Sequence, residues 1–154
     1  MSVNNIEYII DKICQYNKSN DSFDNYRKLM FCIEHCLNLL SPSIFSEDEL
    51  SMLNTGINIW HNKYDREKLH EINLRFSRIW ATHNYEDKIK DNAMQAAAFI
   101  LTPYEGWSPE TYLRPFAFEY FMGYMLYTNV DWNTLCKIII KDYTGLIDFS
   151  NMLN

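Results

Sequence analysis

Cys32, His35 and Cys36 sit close together in one helical segment and are of the ligand types that zinc takes. Cys32 and Cys36 are four apart and share a helix face, while His35 is three from Cys32. A closed zinc site needs further ligands, usually from a distant element. The two cysteines also flank the apolar stripe of their own helix, so they read as core thiols. His70-Glu71 opens a zincin pattern, but Leu74 stands where its second histidine would be. Cys14 and Cys136 are candidate nucleophiles for a Cys–His pair, yet no nucleophile elbow surrounds either. Gly56, Gly106, Gly123 and Gly145 are too scattered to cradle a phosphate. Glu119 lies within Phe116-Ala117-Phe118-Glu119-Tyr120-Phe121, where desolvation would raise its pKa and suit it to acid–base work. The structural alternative, a carboxylate held by Arg75, Arg78, Arg114 or a tyrosine, is preferred. The expectation is therefore a non-enzyme that uses no cofactor and no metal.

Seven helical segments and no strand would position these residues. The first spans about 4–16, with Ile6, Ile9, Ile10, Ile13 and Tyr16 on one face. The second spans about 23–40 behind an N-cap at Ser22 and stops at Ser41-Pro42-Ser43. The third opens on a capping box, Ser46 with Glu49, and carries Leu50, Leu53, Ile57 and Trp60. A short turn and a cap at Asp65 lead into the fourth, which should bury Leu69, Ile72, Phe76, Ile79 and Trp80. Trp60 and Trp80 each precede a polar turn, as two helix ends sealed by tryptophan would. The fifth covers about 86–101, and its alanines allow close approach of a neighbour. A short turn at 109–113, capped by Ser108, precedes the sixth at about 114–127. That helix has no polar face and should be the central one. The seventh starts at cap Asp131, runs to about 143 and ends near Gly145. Residues 146–154 form a tail that packs through Leu146, Ile147 and Phe149 or frays.

The 154 residues suit a single all-α domain, an irregular bundle of six or seven helices around the hydrophobic sixth. With 47% hydrophobic and 16% aromatic residues the chain is not disordered, and 4 Gly and 4 Pro are too few for a turn-rich β fold. A net charge of −6 argues against direct nucleic-acid binding. No apolar run reaches the length of a membrane span, and no secretory leader is expected, so the chain is placed in the cytoplasm. Residues 1–50 carry 8 acids and 4 bases, 51–100 carry 6 and 7, and 101–154 carry 6 and 3. The negative charge thus falls at both ends of the sequence. Tyr104-Glu105-Gly106-Trp107-Ser108-Pro109-Glu110 puts aromatics and acids in a loop where local structure does not require them. Such residues suit a partner-binding surface. Tyr104, Glu105, Trp107 and Glu110 are the first candidate contacts, with Glu47, Asp48 and Glu49 second. The competing account of Trp107 is that it folds back and plugs the core.

Phe31 to Leu40, then Ile57 to Trp60, a polar turn and a helix, then Ala93 to Ala98, resembles the small all-helical immunity proteins of bacterial polymorphic-toxin systems. The resemblance covers roughly residues 25–100. It implies a stoichiometric inhibitor that binds a cognate toxin or effector protein in the cytoplasm and has no catalytic residue. The alternatives are a phage or mobile-element inhibitor of a host protein and a small enzyme using Glu119.

Overall fold

The computed structural model describes residues 3–83, 85–107 and 114–152. Seven α-helices are present among them: α1 (Val3–Ser19), α2 (Phe23–Leu37), α3 (Glu47–His61), α4 (Arg66–Thr82), α5 (Lys88–Ala97), α6 (Ala117–Met125) and α7 (Trp132–Asp142). No strand occurs in the described residues, and the protein is all-α.

Local chemistry sets most of the helix starts. Ser22 accepts from the Asn25 amide at 3.2 Å, Asp65 from Lys68 at 3.0 Å, Asp87 from Ile89 at 2.9 Å and Asp131 from Thr134 at 2.9 Å. Each satisfies an amide that the first helical turn leaves without a partner. At Ser46 the capping box is complete: the Glu49 amide donates to the Ser46 hydroxyl, and the Ser46 amide donates to the Glu49 carboxylate.

The ends depart from the sequence reading by a few residues. α1 continues to Ser19, and the Asn20 side chain then closes it by donating to the Tyr16 carbonyl at 2.9 Å. α2 stops at Leu37 rather than Leu40, because Leu39 and Leu40 turn back on Cys36 and Leu37 with tighter hydrogen bonds. α5 gives way at Ala98 to a 3₁₀ segment, Ala98–Leu101, and α6 is preceded by another, Arg114–Phe116. Pro115 has no amide hydrogen to give a continuing helix, so it sits in that tighter turn. The expected turn at 109–113 and its cap Ser108 lie outside the described residues.

One hydrophobic core joins all seven helices. Ala98–Leu101 is its hub and touches α2, α3, α4 and α5, with Ile100 and Leu101 fully buried. Gly56 lets α3 come this close: a β-carbon there would collide with the Leu101 side chain. Ala93, Ala96 and Ala97 give α5 the same closeness to its neighbours. α6 packs between α1 and α5 and buries Phe118, Phe121, Met122 and Met125. Its other side, unforeseen from sequence, leaves Glu119, Tyr120 and Gly123 to water, as the turn after it leaves Tyr127. In the tail Ile147, Phe149 and Met152 pack against the core, while Leu146 stays exposed.

Candidate functional site

The segment from Thr102 to Trp107 has no long helix to hold it, and aromatic side chains do so instead. The Tyr26 hydroxyl on α2 donates to the Thr102 carbonyl at 2.8 Å and accepts from the Trp107 indole at 2.8 Å. On α3, the Trp60 indole donates to the Ile100 carbonyl at 2.7 Å. Asn73 on α4 donates to the Leu101 carbonyl at 3.0 Å. The Tyr64 hydroxyl accepts from the Tyr104 amide at 3.1 Å and donates to the Glu105 carboxylate at 2.5 Å. Rings fill the space between these bonds. Phe23 meets Tyr64 and Tyr104 edge-on at 4.7 and 5.8 Å, and Tyr26 meets Trp60 and Tyr104 at 5.6 Å each. Such edge-to-face contacts are favourable beyond the area they bury.

Arg114 closes the assembly from the far side. It forms a forked pair with Asp21 at 2.8 and 3.0 Å, donates to the Tyr104 carbonyl at 3.1 Å and lies 3.9 Å over the Tyr104 ring. Its guanidinium holds the Asp21 carboxyl below the usual carboxylate range. Burial raises the Tyr26 phenol pKa well above its ordinary value. Burial also raises that of Tyr64, and the Glu105 carboxylate that accepts its proton raises it further. Both phenols therefore stay protonated and serve as fixed donors.

The sequence-predicted contact residues divide by accessibility. Glu105 is exposed on the crest of the turn Tyr104–Gly106, and Glu47 and Asp48 are exposed in the first turn of α3. Tyr104 and Trp107 are half-buried and engaged internally; Trp107 also stacks on Phe99 at 6.0 Å. Glu49 is buried and ion-paired with Lys90. Burial works to raise its pKa, but the Lys90 ammonium and the Ser46 amide outweigh that and hold it below its ordinary value. Glu110 lies outside the described residues. Tyr64, bonded to Glu105, follows closely on the last residue of α3, so Glu105 and the pair Glu47–Asp48 stand at opposite ends of that helix. At 1.5 Å per residue, the 15 residues of α3 make that helix about 22 Å long.

The catalytic candidates come apart. Glu119 is exposed on α6, neither desolvated nor held by an arginine, and Arg114 is taken by Asp21. Cys32 and Cys36 are buried, whereas His35 points to the surface and pairs with Asp142 of α7 at 2.7 Å. Among the described residues no three His, Cys, Asp or Glu are grouped to hold a metal ion. Burial pushes the Cys14 thiol up to about 12 and the Cys136 thiol to about 11, so neither supplies a thiolate near neutral pH. No helix among the described residues is long and apolar enough to cross a membrane.

Two partners went unread in the sequence, Tyr64 for Glu105 and Arg114 for Tyr104. Arg114 left a trace there, being the only base between Lys90 and Lys137. A cation alone in an acidic, aromatic stretch is a good candidate for an internal bridge. Comparison with models of protein families, with curated proteins and with solved structures finds no match.

Proposed function

We propose that this chain is a stoichiometric inhibitor of the immunity-protein type, which binds a cognate toxin in the cytoplasm and neutralises it. The observation that supports this most is Glu105. It is an exposed carboxylate on a turn bonded to Tyr64, flanked on both sides by residues bonded to Tyr26 of α2, and clamped by Arg114. A surface that is rigid before binding loses little conformational freedom on binding, so more of its contact energy appears as affinity. Glu47 and Asp48 add negative charge at the other end of α3. On an acidic chain these groups favour a cationic partner and speed its approach. Tyr104 and Trp107 contribute by holding the turn, with their outer edges at the interface.

Growth rescue tests the reading. The product of the gene next to this one is expressed in bacteria with and without this chain. The proposal expects the neighbour to arrest growth and this chain to restore it, with the two proteins copurifying at equal stoichiometry. A harmless neighbour, or arrest that persists although this chain is well expressed, overturns it.

A further inference from the structure

Trp60 and Trp80 occupy matching helix ends in the sequence but do opposite things. Trp60 is 1% exposed, and its indole is bonded inside the core. Trp80 is 38% exposed, and its indole donates to the Asp91 carboxylate of α5 at 2.7 Å. That bond stands the ring up as one wall of a groove of about 240 Å³ between α4, α5, Ala98–Leu101 and α6. Phe76 and Met94, each 1% exposed, lie at its floor. Half-buried Phe99, Tyr124 and Gln95 also line it. No Lys, Arg or His lines it among the described residues.

Four aromatic side chains line the hollow, and the Asp91 carboxylate, outside the lining, is hydrogen-bonded to the indole of one of them; together these favour positive charge. The apolar lining opposes entry of a strongly hydrated ammonium, whose water would have to be stripped. A methylated ammonium spreads its charge over carbon and loses less. The net charge of −6 favours a cation in the same sense. We propose that this groove binds a small methylated ammonium cation, with Trp80 and Tyr124 against the charge and Asp91, bonded to the Trp80 indole, supplying the countercharge. The site does not involve Glu105 or any toxin, although its Phe99 also stacks on Trp107.

Choline is the probe, and its neutral isostere, with a tert-butyl group in place of trimethylammonium, is the control. Both are titrated into the full chain by calorimetry, while proton–nitrogen NMR follows the Trp80 indole N–H. Choline is expected to shift that resonance and to bind at least about fivefold tighter than the isostere. Trp80→Leu, or Tyr124→Leu should the first variant fail to fold, is expected to weaken choline by about fivefold or more. Asp91→Asn keeps an oxygen for the indole but removes the charge, so it should weaken choline and leave the isostere unchanged. Equal binding of the two probes makes this a plain apolar groove and overturns the proposal. So does choline binding that none of the variants alters, or no binding at all. Self-association that Trp80→Leu abolishes also overturns it, because a second copy would then fill the groove.

Discussion

The Tyr26 hydroxyl accepts from Trp107 and donates to Thr102, so a single oxygen fastens the candidate binding segment at both ends. Tyr26→Phe keeps the ring contacts but leaves the Trp107 indole and the Thr102 carbonyl short of a partner. A loss of about 1–3 kcal/mol in unfolding free energy is expected, measured by urea denaturation. Trp107→Ala would disturb the same support, so a change in binding on that substitution would not by itself place Trp107 at an interface. Glu49 is a second residue whose internal role is clear. Its folded pKa lies below the ordinary 4.5, so its contribution is fully present above that value and is lost as pH falls through the lower folded value. Glu49→Gln should flatten the acid limb of a stability–pH curve. At neutral pH it should cost about 1–2 kcal/mol, since Lys90 loses its countercharge but keeps the Ile44 carbonyl as acceptor at 2.7 Å. An acid limb identical to that of the parent protein would refute this role.

At the scale of elements, the helix starts were legible because caps are local. Ser22, Ser46, Asp65 and Asp131 each need only the amide three residues on. The ends of α2 and α5 were not legible. There the chain tightens into turns whose position depends on what the hub Ala98–Leu101 packs against. The exposure of Trp80 escaped for the same reason: Trp60 finds the Ile100 carbonyl opposite it, Trp80 only a surface carboxylate. In the candidate site, Glu49 could be separated from Glu47 and Asp48 by the capping box alone, which reserves its carboxylate for the Ser46 amide. The Tyr64 and Arg114 supports could not, because they join residues far apart in the chain. Gly56 gives a test at this scale. Alanine normally favours a helix by up to about 1 kcal/mol over glycine. At Gly56 the added methyl meets the end of the Leu101 side chain, which must shift within the fully buried hub, so Gly56→Ala should destabilise by about 1–3 kcal/mol. A raised melting temperature would contradict the close approach of α3 to the hub.

For the whole molecule, α3 is a spacer about 22 Å long between Glu47 and Asp48 at its start and the separate Glu105 turn beside its end. A standard interface covers about 800 Å² on each partner, a patch roughly 30 Å across, so one partner can reach both ends. Groups this far apart should contribute additively, within about 0.5 kcal/mol. Both should act strongly on the association rate, as exposed charges do. The most direct measurement is the binding kinetics of the purified pair across a range of salt, for the parent chain, Glu105→Lys, Glu47→Lys with Asp48→Lys, and all three together. The account predicts that each change slows association, that the combined variant sums the two effects, and that the salt dependence shrinks as acids are reversed. Unchanged association and affinity in the combined variant, with its fold intact, would contradict the claim that the acidic start of α3 and the Glu105 turn form the binding surface.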